Sequence, residues 1–220
     1  MLFLLLSACS ETGLNKDAPD AMCPAYSGFH AVGQTWTWNV AGAPGTMLYT
    51  LTGVVGNRLT VELYSESTTE DSSQTLRRES TWRCDEAGAW LVEEVNEVHA
   101  ESYGAYAYVM DDVSTFTYAP DGWLVVPAGL ASASTWEVDF SFEVSSTLTG
   151  ESTQRWMGTY FAENEEVVET PAGTFNTMEI NGAGEIIDDA SIFWYDHDYR
   201  DAEVGLVLDE TIASLTAWTE

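Results

Sequence analysis

The amino-acid sequence predicts an all-β protein with little helix, built as a single antiparallel, strongly curved sheet or half-barrel. Short runs of alternating apolar and polar residues recur along the chain, separated by turn-forming Gly, Pro, Asn and Asp. No segment shows the 3.6-residue period of an amphipathic helix. Nine tryptophans and ten tyrosines further favour strands. A length of 220 residues with 45% hydrophobic content fits one domain with a sizeable core.

The first strands are predicted from alternation and turn chemistry. Trp36 and Trp38 alternate with threonine and asparagine, which is typical of a half-buried strand. Two apolar runs flank Gly56-Asn57, a dipeptide that favours the tight turn of a β-hairpin. Residues 65–80 are rich in Ser, Thr and Glu, and we interpret them as an exposed loop or the polar end of an edge strand.

The middle of the chain continues with short strands and turns. Residues 85–88 (DEAG) predict a turn between two strands, the first of which ends at Cys84. Residues 99–112 have no clear period, and Asp111-Asp112 predicts a turn. The PDG sequence of residues 120–122 predicts a further turn before another short strand.

The clearest half-buried strand covers residues 135–149. Its apolar side chains all fall on one face and alternate with polar ones; they are Trp136, Val138, Phe140, Phe142 and Val144. Residues 156–161 are expected to pair with it.

The last third of the chain predicts a hairpin and up to three further strands. Pro171 and Gly173 suit a reversal between two short strands within residues 167–180. Residues 192–195 and 204–208 are β-branched or aromatic runs that predict strands, and residues 211–218 form a strand or a final turn.

Three short sequences recur in the same order and point to two duplicated β-units. The pairs are residues 35–36 and 135–136, residues 50–53 and 147–150, and residues 88–94 and 205–210. Chance recurrence of Thr/Gly words in a β-rich chain is the alternative.

Three short sequences appear in order near the C-terminus: PAGTF at residues 171–175, FWY at 193–195 and VGLV at 204–207. This pattern resembles secreted bacterial lipoproteins of unknown function, which show VPAGTF followed by YWYAPGVGLVK. The GQTWTW sequence of residues 33–38 is similar to their VGNxWTY opening. The resemblance implies a curved, antiparallel half-barrel and an envelope address, and it brings no known catalytic residues. In this chain, residues 196–203 replace the short loop of those proteins.

The N-terminus predicts a lipid anchor. The sequence LSAC that ends at Cys9 matches the bacterial lipobox, in which the thiol is diacylated before the signal is removed. We therefore expect residues 1–8 to be a signal peptide, residues 9–22 the lipidated cysteine and its polar tether, and residues 23–220 the β domain. The apolar run is short and lacks basic residues, which a mis-assigned start codon would explain; an ordinary apolar N-terminus is the alternative. Ser10 favours the outer membrane by analogy with known sorting, with the domain facing the periplasm or the surface.

The net charge of −29, from 36 acidic and 7 basic residues, restricts the partners. Phosphate backbones and anionic headgroups would be repelled, so we expect no nucleic-acid partner and contact with the membrane only through the lipid. Such acidity also keeps a protein soluble outside the cell.

Two cysteines remain after Cys9. Exported compartments are oxidising, so Cys23 and Cys84 are candidates for a disulfide, with two buried thiols as the alternative.

One acidic segment has metal-ligand character. Asp196, Asp198, Asp201 and Glu203 supply closely spaced hard oxygen donors of the kind that Ca²⁺ binds. Their spacing does not match an EF-hand, and a solvated acidic hairpin loop is the alternative. No zinc motif is present, so calcium is the one cofactor considered.

The sequence singles out no catalytic residue. There is no G-x-S-x-G motif, and the single lysine, Lys16, lies in the tether. Three hypotheses follow. The first is a non-enzymatic envelope lipoprotein that binds an envelope protein partner or a small apolar ligand. The second is a calcium-stabilised structural or adhesive surface module, and the third a hydrolase that uses His197 and scattered carboxylates.

Overall fold

The computed structural model describes residues 23–40, 45–103, 107–187, 192–209 and 213–219. Within these ranges the chain forms thirteen β-strands and no helix. No helix of the described residues could span a membrane. The predicted signal peptide, Cys9 and the tether lie outside the described residues.

The first seven strands occupy the N-terminal half: β1 (Thr35–Val40), β2 (Thr46–Val55), β3 (Arg58–Thr68), β4 (Ser72–Asp85), β5 (Gly88–Ser102), β6 (Tyr108–Ala119) and β7 (Trp123–Pro127). The other six follow: β8 (Thr135–Ser146), β9 (Gly150–Thr170), β10 (Gly173–Ile186), β11 (Ile192–Asp201), β12 (Gly205–Asp209) and β13 (Ala213–Thr219).

The strands form one antiparallel sheet that closes on itself. Their order is β4-β3-β2-β1-β13-β12-β11-β10-β9-β8-β6-β5, and β4 also pairs with β5, which completes a ring of twelve strands. The short β7 pairs with the beginning of β5, beyond the part of β5 that β6 covers. The prediction of an all-β, antiparallel protein is confirmed.

The predicted open half-barrel is wrong, because the barrel is closed. Closure depends on β4, most of which lies in residues 65–80, the segment predicted to be an exposed loop or the polar end of an edge strand. Residues 72–85 instead pair along their length with β3 on one side and β5 on the other. The stretch looked like a loop because the polar side chain of Arg78 takes an inward position, where it forms an ion pair with Glu94 at 3.1 Å.

Turn chemistry located most hairpins correctly. Turns follow β2 at Gly56-Asn57, β6 at residues 120–122 and β9 at residues 171–172, as predicted. Two turn predictions are wrong: Asp111-Asp112 lies inside β6, and most of the predicted loop 196–203 belongs to β11. In both places acidic residues occupy a strand that two neighbours pair, so partner strands override the local preference of Asp for turns.

The sequence echoes correspond only in part in structure. Residues 35–36 and 135–136 each open a strand, and residues 88 and 205 begin β5 and β12. However, residues 50–53 lie within β2, whereas residues 147–149 form the turn between β8 and β9. The duplicated β-units therefore stay a prediction.

The interior is filled by aromatic rings. Trp136 stacks on Tyr160 with ring centroids 5.2 Å apart, and Trp123 stacks on Phe140 at 5.7 Å. Trp194 lies 5.4 Å from Tyr160 and continues the series. Such contacts add to the burial of large apolar surfaces, so these rings supply much of the stability of the core.

The segment before β1 packs against one part of this core. Cys23 is joined to Cys84, which is only 1% exposed, and the predicted disulfide is confirmed. Phe29 meets the rings of Trp36 and Trp82 edge-on, with centroids 6.2 and 5.1 Å away. The disulfide thus ties the start of the domain to β4.

Candidate functional sites on the two faces of β11

Strand β11 carries unusual side chains on both of its faces. Because successive residues of a strand point to opposite sides of a sheet, Phe193, Tyr195 and His197 share one face while Trp194 and Asp196 share the other. Tyr195 is in register with Ala183, Thr159 and Glu137 on the three neighbouring strands, a row that is exposed throughout. Asp196 is in register with Gly182, Tyr160 and Trp136, a buried row. The first face is therefore the outside of the barrel and the second its interior.

A groove crosses the outer face of β8, β9, β10 and β11. It consists of two adjoining cavities of about 510 and 540 Å³ that share Thr159, Ala183 and Tyr195. We call this feature the outer groove; its principal side chains are Glu137, Asp139, Met157, Thr159, Phe161, Ala183, Glu185, Phe193 and Tyr195.

The walls of the outer groove are aromatic and strongly exposed. Tyr195 is 77% exposed, Phe193 63% and Phe161 40%. The floor is low because Thr159 and Ala183 are small. Three large rings that stand around a shallow floor make a concave, partly apolar surface.

Glycines beneath the floor allow the strands to pack closely on the interior side. A methyl group on Gly182 would lie 2.5 Å from the ring of Tyr160 and 2.9 Å from that of Trp194. One on Gly158 would come within 2.6 Å of the Ala183 carbonyl oxygen. The rings of Trp194 and Tyr160 occupy the space that side chains would need, so glycine is required at these positions by close approach.

Carboxylates also line the outer groove. Glu137 and Glu185 are exposed, and Glu185 is directly opposite Phe193 on the neighbouring strand. Asp139 accepts two hydrogen bonds from Arg155, at 2.9 and 2.7 Å. These bonds hold the pKa of the Asp139 carboxyl below its usual value. The groove therefore combines aromatic rings with negative charge.

His197 lies at one end of the outer groove. Its Nε2 atom is 2.9 Å from Glu179 Oε1, and its ring is 5.0 Å from that of Tyr199. The hydrolase hypothesis required a buried aspartate beside this histidine. Asp198 is buried, but as the next residue of the strand it points into the interior, away from His197.

The interior face of β11 forms an acidic cluster with β12. Carboxylate oxygens of Asp196, Asp198 and Asp209 all lie within 4.8 Å of one another. Asp198 accepts a hydrogen bond from Arg200 at 2.8 Å, and Asp196 accepts one from the hydroxyl of Tyr160 at 3.1 Å. We call Asp196, Asp198 and Asp209 the acidic cluster.

Burial dominates the electrostatics of this cluster. It raises the pKa of Asp198 to about 7, against the opposing effect of the Arg200 guanidinium. Burial also raises the pKa of Asp196, which the Tyr160 hydroxyl and Arg200 oppose. The pKa of Tyr160 rises for the same reason, with the charge of Asp196 as the next cause. Desolvation thus outweighs the nearby positive charge.

The predicted calcium ligands separate into two groups. Asp196 and Asp198 converge as expected. Asp201 instead caps a turn, where its Oδ1 accepts the backbone N–H groups of Glu203 at 2.9 Å and Val204 at 3.1 Å. The backbone carbonyl of Glu203 is hydrogen-bonded to the His30 ring. The sequence analysis grouped these residues because it interpreted a strand and its turn as one loop.

Asp209 is the member of the cluster that sequence reasoning missed. It pairs with Asp198 across β11 and β12, a register that includes an irregularity between Tyr199 and Arg200. Its position after the VGLV strand could have suggested a place opposite the acidic segment, but the irregular register makes the facing residue unreadable from sequence.

Comparison with known proteins gives one likeness. No family model and no curated protein matches the chain. A crystal structure of a protein from Parabacteroides distasonis ATCC 8503, described provisionally as a lipoprotein, aligns over 90% of this chain and 99% of its own, with 13% identity and a TM-score of 0.43. The function is therefore argued from the two sites themselves.

Proposed function

We propose that this protein is a non-enzymatic binding module of the bacterial cell envelope. In this proposal a lipid on Cys9 holds it to the outer membrane, and the outer groove binds a protein partner. The observation that carries the proposal is the group of three exposed rings, Phe161, Phe193 and Tyr195, around a concave floor.

Exposed aromatic rings in a cluster favour binding. Burial of apolar surface stabilises a protein by roughly 25 cal/mol per Å². Because most of the surface of Phe193 and Tyr195 stays in water, these two side chains contribute little to the stability of the fold. Aromatic side chains are enriched at protein interfaces and are frequent among the residues that dominate binding energy. Burial of these rings by a partner would stabilise the complex by the hydrophobic free energy that folding does not obtain from them.

The position of the groove favours a protein over an apolar ligand. Many inward-facing side chains of the described residues form a packed cluster of aromatic and aliphatic groups, and the acidic cluster adds charge to the interior. The outer groove is open and spans four strands, which suits an extended macromolecular surface.

The disulfide supports export of the domain. Disulfides form and persist in oxidising compartments such as the bacterial periplasm. Cys23 lies immediately after the proposed tether and is bonded to Cys84. A domain that begins with this bond is suited to folding after secretion.

The anchor is tested by expressing the full chain in a Gram-negative host, as wild type and as Cys9→Ser. Wild type should be recovered with the outer membrane, and mass spectrometry should show a lipidated N-terminal cysteine. Cys9→Ser should be released from the membrane fraction. A wild-type protein that keeps residues 1–8 and an unmodified Cys9 would contradict the anchor but leave the groove untouched.

The groove is tested with a photo-crosslinking amino acid at Tyr195, incorporated in living cells. A matched control places it at Tyr64, an exposed tyrosine on β3. We expect one discrete crosslinked protein at Tyr195 and none at Tyr64. The same pattern of products at both positions, or no product at Tyr195, would contradict a specific partner at the groove.

A second candidate function is a calcium-stabilised structural or adhesive module. The specific observation is that Asp196, Asp198 and Asp209 converge within 4.8 Å, with the Tyr160 hydroxyl bonded to Asp196. Calcium would coordinate the three carboxylates directly and would so offset the free-energy cost of removing their charges from water. Calcium should then raise the melting temperature of wild type but not of Asp209→Asn. Equal melting in calcium and in chelator would remove this candidate.

A further inference from the structure

We infer that the segment bound by the outer groove is an extended, lysine- or arginine-bearing stretch of a protein. The inference rests on the proposed function and deepens it by naming the chemistry of the partner. It is carried by the charge and the spacing of the groove residues.

Most of the positive charge of the described residues lies away from the groove. Four of the seven basic residues, Arg58, Arg77, Arg78 and Arg83, are on β3 and β4, which are separated from the groove by several strands in the sheet order. Arg155 lies at the edge of the groove, where its charge is paired with Asp139, and Arg200 on β11 is paired with the buried Asp198 on the interior side. Against a net charge of −29, the field at the groove is negative and favours a cation.

The side chains at the groove can contact a cation in two ways. The carboxylate of Glu185 is directly opposite the ring of Phe193, and Tyr195 stands two residues along the same strand. A lysine or arginine placed here would meet a carboxylate and the face of an aromatic ring together. Cation–π contacts of this kind strengthen binding, and the guanidinium of arginine can also donate two hydrogen bonds to one carboxylate.

The width of the groove sets the spacing of the bound residues. Glu137 on β8 and Tyr195 on β11 are three strands apart in one row, a separation of about 14 Å at ~4.8 Å per strand. In an extended peptide, residues i and i+4 are about 13 Å apart and point to the same side. Two basic residues at i and i+4 would therefore reach the two walls, and an apolar residue at i+2 would lie over the floor between Thr159 and Ala183.

A second copy of this chain does not fit as the occupant. A two-fold contact through this face would bring Glu137, Asp139 and Glu185 of one copy against the same carboxylates of the other. Like charges in such a contact are unfavourable, and both copies carry the same large negative charge.

The test uses calorimetric titration of the full chain with Cys9→Ser, which removes the lipid site. The probe is the acetylated, amidated peptide SGSKGLGKSGS, in which two lysines flank a leucine at i and i+4. Two comparison peptides replace both lysines by glutamine, or place them side by side. We expect the spaced peptide to bind at least about tenfold more tightly than either, consistent with two charged contacts.

Variants separate the groove from the general charge of the protein. Tyr195→Ser leaves the charge unchanged and should weaken the spaced peptide by about tenfold, whereas Glu185→Gln should weaken it by a similar factor. Glu62→Gln, an exposed carboxylate on β3, is the charge-matched control and should change binding less than about twofold. Thermal unfolding followed by circular dichroism checks that each variant is folded.

Each contrary outcome identifies what has failed. Equal loss in Glu185→Gln and Glu62→Gln, with no effect of Tyr195→Ser, would mean that the peptide responds only to net charge, and would overturn the inference. Equal binding of the glutamine peptide would also overturn it, but would leave the groove as a binding site. Failure of all peptides while crosslinking at Tyr195 still captures a discrete protein would refute the cationic partner alone. Failure of both would refute the proposed function as well.

Discussion

Replacing Asp198 by asparagine should stabilise the protein at neutral and alkaline pH. Asp198 is 7% exposed, and burial raises its pKa from an ordinary 3.8 to about 7. A folded-state pKa above the unfolded value means that the folded protein binds the proton more tightly. The free energy of unfolding therefore falls as pH rises from about 4 to 7, and the loss is complete above pH 7. A difference of three pKa units corresponds to about 4 kcal/mol, which is an upper bound for a carboxylate with charged neighbours.

Asparagine keeps the shape of the side chain and an oxygen that can accept the hydrogen bond from Arg200. It cannot ionise, so the part of the pH dependence that arises from this position should disappear. The charge of Arg200 would still act on the carboxylate of Asp196. We expect the gain from removing a buried charge to exceed the loss of one ion pair, because desolvation is the largest effect on Asp198.

The assay is urea unfolding at pH 5 and pH 8, in chelator, for wild type, Asp198→Asn and Asp139→Asn. Wild type should lose more stability than Asp198→Asn between the two pH values, and the variant should be the more stable at pH 8. Asp139→Asn changes an exposed carboxylate that is also paired with an arginine, and it should keep the pH dependence of wild type. If Asp198→Asn is less stable than wild type at pH 8, the charged pair with Arg200 outweighs burial, and the reasoning is refuted.

Two further changes probe the packing of the barrel. Gly182→Ala should destabilise by about 1–3 kcal/mol, because its methyl group would meet the rings of Tyr160 and Trp194 inside the barrel; Ala183→Ser, on the exposed side of the same strand, should be nearly neutral in urea unfolding. Joint replacement of Cys23 and Cys84 by serine should cost about 4 kcal/mol, since the bond closes a loop with a sequence separation of 61. Unfolding of wild type with and without reductant should reproduce that difference, and an unchanged midpoint would contradict it.

Local features of the sequence predicted the strands well, and long-range pairing limited the rest. The alternation from Trp136 to Val144 and the turn at Gly56-Asn57 depend on neighbouring residues alone, so they could be read directly. Closure of the barrel depends on which strands β4 meets. Its polar sequence did not indicate that it pairs on both sides, because a partly buried Arg78–Glu94 pair replaces the apolar side chains that usually mark an inward face.

The candidate sites could be predicted only in part, because they too depend on which strands pair. Asp196 and Asp198 were found from their acidic spacing, but their convergence with Asp209 depends on strand register. The outer groove was missed because most aromatic residues were assigned to the core. A signal was present: Phe193, Trp194 and Tyr195 are consecutive in a strand, so at least one of them must face outward.

Both faces of β11 depart from the pattern of an ordinary strand, and this departure is the strongest structural argument for function. In β8, Trp136, Val138 and Phe140 point inward while the intervening residues are polar and exposed, as stability alone would favour. In β11, Asp196 and Asp198 point inward beside Trp194, while Phe193 and Tyr195 point outward, so the strand gives up apolar burial on one face and desolvates charge on the other. Neither departure stabilises the fold, and departures of this kind are expected where a sequence serves binding rather than folding. The outward rings are the part of this arrangement that a partner can reach.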